Sequence, residues 1–310
     1  MKKVFIDGSA GTTGLRIIER LQGRSDIELV TLSDDKRKLP EYRKQALNNC
    51  DIAFLCLPDA AAKEAVSFVE NEDVVIIDAS TAHRTNPDWA YGFAELGEEF
   101  EQKIISSNRI ANPGCYASGF IALVHPLVKN GLIDANSLLT AHAVSGYSGA
   151  GKQGIAQYED ANINPLLLGP REYALTQQHK HAPEMKIISG LNNEPIFCPY
   201  VCNFYSGMTV TVPLFASQLK NGYTANDIKQ VYKSLYDGDI VQYKESIDED
   251  GFISASAISQ KDNMQITVCG NDERIMLVSR FNNLGKGASG AAVECMNIKL
   301  GVDKKTGLDL

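Results

Sequence analysis

The chain lacks the features that mark membrane, secreted and nucleic-acid-binding proteins. No apolar run approaches the ~20 residues of a membrane span. Met1-Lys2-Lys3 leads into only Val4-Phe5-Ile6 before Asp7-Gly8, too little for a secretory leader. No long basic run offsets the net charge of −8, which argues against a polyanion partner. Seven scattered cysteines, an odd number, suggest reduced thiols and a cytoplasmic protein rather than a disulfide framework. Cys198 and Cys202 have no second pair at zinc-site spacing, so no metal is expected. Histidine is scarce, at five residues. What remains is an ordinary globular composition, and 310 residues suffice for two domains.

Within it, Asn112-Pro113-Gly114-Cys115-Tyr116 is distinctive. Pro fixes φ and Gly permits a reversal, so the apolar run after it reads as a helix entered through a sharp elbow. Cys115 then lies in the first turn, where unpaired N–H groups and the helix dipole favour a thiolate. A buried structural cysteine is the alternative.

Upstream, Lys3–Ile6 reads as a strand that runs into Gly8-Ser9-Ala10-Gly11-Thr12-Thr13-Gly14, with Leu15, Ile17, Ile18 and Leu21 at helical spacing behind it. Strand, glycine turn and helix N-terminus together hold a dinucleotide pyrophosphate, although the spacing is G-x-x-G-x-x-G. The strand Ile27–Leu32 ends at Ser33-Asp34-Asp35-Lys36-Arg37-Lys38. Asp34 suits a ribose hydroxyl, whereas Ser33 and Arg37 suit a 2′-phosphate, and the balance favours NADP. Apolar strands over Asp51–Pro58 and Asp73–Ser80, with a helix between, continue an open parallel sheet. Ser80 and Arg84 follow a strand end where ligands bind, Arg84 as a candidate anion anchor. A further strand is expected over Lys103–Ala111.

Beyond the elbow the pattern changes. A strand over Ser137–Ala143 precedes a second glycine-rich loop, Ser145 to Lys152, with no clear helix behind it. Its N–H groups and hydroxyls (Ser145, Ser148, Gly149) and Lys152 suit a substrate phosphate or carboxylate. In His179-Lys180-His181-Ala182-Pro183-Glu184, two histidines project to one side if extended, with a carboxylate in reach, a pattern suited to acid–base work. Strands near Met208–Phe215 and Asn263–Val268 flank a helix starting at Thr224, which implies an α+β second domain on a mostly antiparallel sheet. Asn283, Gly285 and the small residues after them permit close approach to a cofactor, and the last helix is expected to return to the first domain.

Taken in order, the two glycine loops, Asn112–Tyr116, His179–Glu184 and Asn283-Leu284-Gly285-Lys286-Gly287-Ala288 resemble the short form of the N-acetyl-γ-glutamyl-phosphate reductase family over nearly the whole chain. Ala94 departs from it, where proline is usual. The resemblance implies a doubly wound α/β domain (1–114 with 284–310) and an α+β catalytic and oligomerisation domain (115–283). It implies NADPH-dependent reduction of an acyl phosphate through a cysteine thioester, in a homodimer or homotetramer. Cys115 would be the nucleophile, His181 the acid–base residue, Glu184 its orienting group and His179 a residue able to share the role. Gly8, Ala10, Gly11, Thr12, Thr13, Gly14, Ser33, Arg37, Ser80, Asn283 and Gly285 would face the cofactor. Arg84, Asn112, Ser145, Ser148, Gly149 and Lys152, with Arg171, would face the substrate. An aspartate-semialdehyde or carrier-linked aminoacyl-phosphate reductase shares this logic, and a non-catalytic dinucleotide sensor shares the fold.

Overall fold

Strands that are apolar on both faces need helices on both faces, and the first part of the chain supplies them in alternation. The computed structural model describes residues 1–310 and divides into two units, Met1–Gly114 with Ala288–Leu308, and Cys115–Gly287 with Asp309–Leu310. In the first unit the order is β1 (Lys2–Asp7), α1 (Thr12–Leu21), β2 (Ile27–Val30), α2 (Pro40–Asn48), β3 (Ile52–Leu55), α3 (Asp59–Ser67), β4 (Val75–Asp78), β5 (Ala90–Tyr91), α4 (Glu98–Ser106) and β6 (Arg109–Ala111). The sheet is wholly parallel, in the order β2-β1-β3-β4-β6-β5. Alternation sends Val4 and Ile6 to one apolar cluster and Phe5 to the other. The strand order reverses between β1 and β3, which is where ligands bind in open sheets of this kind.

The strand expected over Lys103–Ala111 is confined to its last three residues. Lys103–Ser106 instead close α4, whose first turn carries Glu98, Glu99 and Glu101 and whose last turn carries Lys103, as the helix dipole favours. Ile104 is its one buried residue, a single-sided burial that suits a surface helix.

The second unit runs α5 (Cys115–Lys129), β7 (Thr140–Gly146), α6 (Gly151–Tyr158), β8 (Arg171–Glu172), α7 (Ala182–Ser189), β9 (Ile196–Cys202), β10 (Met208–Phe215), α8 (Ala225–Leu235), β11 (Val241–Tyr243), β12 (Met264–Gly270) and β13 (Arg274–Phe281). Its seven strands lie in the order β11-β12-β13-β10-β7-β9-β8, and four of the six pairings are antiparallel. Helix α5 packs against β10, β13, α7 and α8. It comes close because it carries Gly119: a Cβ there would sit 2.6 Å from Val210 and 2.7 Å from Ser279. Other residues of the sheet project away from the buried core, among them exposed Ile196, Phe215 and Met276. The chain then returns to the first unit as α9 (Gly290–Leu300), which packs on α1, α4 and β4. No helix is long and apolar enough to cross a membrane.

Pro126 lies inside α5 and has no N–H for the carbonyl of Ala122, four residues back. The hydroxyl of Tyr236, the C-cap of α8, donates to that carbonyl at 2.7 Å, and Tyr232 of α8 donates to Leu123 next to it. Tyr236→Phe leaves a buried acceptor without its donor, and we expect a loss of about 1–3 kcal/mol. Urea denaturation measures it, and a loss under about 0.5 kcal/mol, half the usual net worth of one such bond, would refute the account.

Candidate active site

Every residue from Ala111 to Val124 is buried except Cys115, which is partly exposed. The elbow lifts this one side chain out of the core at the first position of α5. Gly287 makes room for it, since a Cβ there would meet the Cys115 Cβ at 3.0 Å. Elsewhere burial pushes the thiols of Cys50 and Cys56 up to about 12 and also raises Cys198, Cys202 and Cys269, which suits inert residues.

Tyr116, the next residue, stands among aromatic rings. Its ring centroid lies 6.0 Å from those of His179 and His181 and 5.3 Å from Phe197. Its phenol donates to the Tyr200 carbonyl at 3.4 Å; burial first, then the Tyr173 phenol, holds it well above the usual range. The two histidine rings meet edge to face at 4.8 Å, but not as neighbours on an extended strand. They sit in a turn: His181 is the N-cap of α7 with helical angles, and the His179 carbonyl accepts from Ala182 N–H. Pro183 in the first turn of α7 makes the helix begin here.

The two rings differ in kind. His179 Nδ1 accepts the His181 backbone N–H at 3.1 Å, so its proton is on Nε2. Burial, then the charge of Lys180, lowers the His179 pKa to about 4. A neutral ring whose Nδ1 is occupied is a poor base at neutral pH. Glu184 is buried in the first turn of α7.

The second glycine loop departs from expectation. It does open a helix, α6, after a 3₁₀ turn over Tyr147–Ala150. The N–H groups of Gly146, Tyr147 and Ser148 donate to the carbonyls of Gly207, Phe204 and Tyr205, so they are not available to an anion. Buried Ser148 accepts from Asn283 Nδ2 at 2.9 Å, and Asn283 Oδ1 accepts from Gly207 N–H. Asn283 therefore braces this loop, where a cofactor contact was expected. Gly285 packs against Lys261 and Asp262, while Lys152 and Arg171 are exposed.

In the first unit the dinucleotide loop has the geometry its glycines suggest. Gly8 has φ +87°, and a Cβ would lie 2.2 Å from the Cys56 carbonyl. A Cβ on Gly14 would collide with the Gly8 carbonyl at 2.5 Å. Gly11 begins α1 with no side-chain cap, and no acidic residue stands in the first turn beside Thr12 and Thr13, as pyrophosphate binding requires. Ala10 lies in the same turn. Below it, Arg43 bonds both Asp7, at 2.9 Å, and Glu64, at 2.7 Å, a pairing missed in the sequence. Past β2, Ser33 is exposed and Arg37 is held by Asp34 at 2.7 Å. Ser80 donates to Asp78 at 2.7 Å.

Arg84 was expected to grip an anion, but it is buried and its guanidinium donates to the carbonyls of Asn112 and Ala79, both at 2.9 Å. Asn112 Nδ2 donates to the Ala288 carbonyl at 3.0 Å, while its buried Oδ1 has no protein partner. No group of three His, Cys, Asp or Glu side chains is arranged to hold a metal ion.

Comparison with known proteins places both parts of the chain in one family. Residues 3–103 match the family model described as semialdehyde dehydrogenase, NAD binding domain, and 115–283 match semialdehyde dehydrogenase, dimerisation domain. The chain is 43% identical to N-acetyl-gamma-glutamyl-phosphate reductase 2 of Nostoc sp., with 99% of each chain covered. It is 45% identical to the N-acetyl-gamma-glutamyl-phosphate reductase of Brucella suis, over 96% of this chain and 99% of the relative. Among solved structures it resembles aspartate semialdehyde dehydrogenase II from Vibrio cholerae, with TM-score 0.71, 17% identity and 97% and 98% coverage. At that identity the likeness concerns the fold alone.

The His179 geometry has a measurable consequence. Long-range ¹H–¹⁵N correlation should find Nδ1 unprotonated and Nε2 protonated at pH 7, with titration well below the ordinary histidine range. Because the folded pKa is depressed, the contribution of His179 to stability is full above about 6.5 and is lost as pH falls towards about 4. An imidazolium signal at pH 6 would overturn this.

Proposed function

The chain belongs to the N-acetyl-gamma-glutamyl-phosphate reductases of the semialdehyde dehydrogenase family, and from this premise we propose that Cys115 and His181 carry its chemistry. The enzyme reduces N-acetyl-L-glutamyl 5-phosphate to N-acetyl-L-glutamate 5-semialdehyde with release of phosphate, a step of arginine biosynthesis. The observation that carries the residue assignment is the exposure of Cys115 alone in a buried run, with Tyr116 beside it against both histidine rings.

The sulfur attacks the acyl carbon, the bond to the phosphate oxygen breaks, and a thioester forms on Cys115. The reduced nicotinamide, when bound, supplies the hydride that a thioester accepts and a carboxylate does not. His181 takes the thiol proton during acylation. It gives a proton to the oxyanion formed on reduction and recovers it as the C–S bond breaks, releasing aldehyde and thiolate. N–H groups at the start of α5 stabilise the oxyanion. Glu184 orients His181. Neutral His179 holds the His181 backbone and takes no part in proton transfer. Lys152 and Arg171 supply positive charge for the anionic substrate.

The uncapped α1 terminus fits a nicotinamide dinucleotide, with Gly8, Gly11, Thr12, Thr13 and Gly14 around the pyrophosphate. Our reading is NADP, its 2′-phosphate meeting Ser33 and Arg37, with the Asp34–Arg37 pair opening as it binds. The chain forms a homo-oligomer in the cytoplasm, a second copy covering the sheet face that exposes Ile196, Phe215 and Met276.

Phosphate-dependent oxidation of the semialdehyde, run with NADP and with NAD, tests the chemistry. We expect Cys115→Ala to lose about 10⁴-fold or more, as removal of a covalent nucleophile does elsewhere. Arg37→Ala should narrow the preference for NADP. Substantial turnover without Cys115 sinks the nucleophile, and equal efficiency with both cofactors, unchanged in Arg37→Ala, sinks the NADP reading. Separately, Phe215→Glu should shift the mass seen by light scattering towards the monomer. An unchanged mass would exclude that face.

A further inference from the structure

A buried hydrogen-bond chain underlies the elbow and takes no direct part in acyl, hydride or proton transfer. Asp78, at the end of β4, has no solvent exposure. Its carboxylate accepts from Ser80 N–H at 2.9 Å, Ser80 Oγ at 2.7 Å and His83 Nδ1 at 2.6 Å. Since a carboxylate accepts, His83 carries its proton on Nδ1. The His83 ring also stacks on Trp89, with centroids 4.0 Å apart and planes 7° from parallel. Two contacts of different kinds thus fix one imidazole in position and tautomer. Next in sequence is Arg84, bonded to the Ala79 carbonyl inside the same turn and to the Asn112 carbonyl in the elbow. Asn112 is held from its other side too, its N–H donating to the Asp78 carbonyl at 2.8 Å.

We propose that His83 and Arg84 are positioning residues for the nucleophile: Asp78 and Trp89 clamp His83, the clamped turn aims Arg84 at the Asn112 carbonyl, and that grip sets the elbow delivering Cys115. This rests on Cys115 being the nucleophile. The groups involved are buried and bonded to one another, so a change at one end is transmitted with little relaxation. Both carbonyls held by Arg84 are backbone, and a guanidinium with two divergent donors reaches both where an ammonium reaches one.

The test compares His83→Phe, His83→Asn and Arg84→Lys. Phenylalanine keeps the stack on Trp89 and removes the donor to Asp78; asparagine keeps a donor at the Nδ1 position and removes the ring. In His83→Phe we expect kcat to fall about 10- to 100-fold, the cost of a small misplacement at a reacting centre. Cofactor affinity should stay within twofold of wild type. Without substrate, iodoacetamide alkylation of the Cys115 peptide should slow by a similar factor, a readout that a purely substrate-binding role would not move. His83→Asn should recover most of both rates. Trp89 is the only tryptophan in the chain, so its emission reports whether the stack survives. If His83→Phe does not fold, Arg84→Lys carries the same expectation. An unchanged alkylation rate overturns the proposal, as does equal loss in cofactor affinity or an asparagine variant no better than the phenylalanine one. Cys115→Ala distinguishes the two failures: activity retained there defeats the nucleophile reading, whereas activity lost there but kept in His83→Phe defeats this proposal alone.

Discussion

Burying a backbone obliges it to find partners for its polar groups, and the stretch from Ala111 to Val124, buried but for Cys115, must meet that obligation. The Asn112 N–H and carbonyl bond to Asp78 and Arg84, and its side chain reaches Ala288. Further along, the Ala122 carbonyl, deprived of its helical donor by Pro126, takes one from Tyr236. Ordinary secondary structure supplies few of these bonds. They come from β4, from the turn after it, from Ala288 and from the C-cap of α8. In the reaction we propose, a sulfur on such a fixed backbone needs little further ordering before it attacks, which is the entropic side of catalysis.

The same logic separates the two histidines. They are the same residue type two positions apart, and an extended reading treats them as equivalent. The turn that starts α7 makes one of them an acceptor for the other's backbone. Burial then holds the acceptor neutral, which is why we assign the proton-transfer role to its neighbour.

Much of this was legible in the sequence where local chemistry dictates local structure. Gly8 and Gly14 mark places where a Cβ would strike backbone, and the Asn112-Pro113-Gly114 elbow and the apolar strands β3 and β4 fell where their residue types put them. Local chemistry is silent where partners lie far apart in the chain. Arg84 looked like an anion anchor because nothing local says that the Asn112 carbonyl, 28 residues on, will meet it. Asn283 looked like a cofactor contact for the same reason, its partners being Ser148 and Gly207. The loop at Ser145–Gly149 seemed to offer free N–H groups until the chain at 204–207 was placed against it. The helix over Lys103–Ser106 was misread for a different reason, because Ile104-Ile105 resembles a strand when the acidic turn before it is ignored.

The division of the chain has a consequence in time. The second unit is continuous over 115–287 and gains only residues 309–310 from beyond, whereas the first is closed only by residues 288–308. Helix α9, buried along most of its length, covers the cluster that includes Val4, Ile6, Phe54 and Ile77. During synthesis, therefore, the parallel sheet made first must wait with that face only partly covered, by α1 and α4, while the later-made unit is completed. The helix that seals it is made only after that unit. Order of synthesis and order of completion are reversed in this molecule, and the interval between them is when its apolar sheet is most open to mispairing.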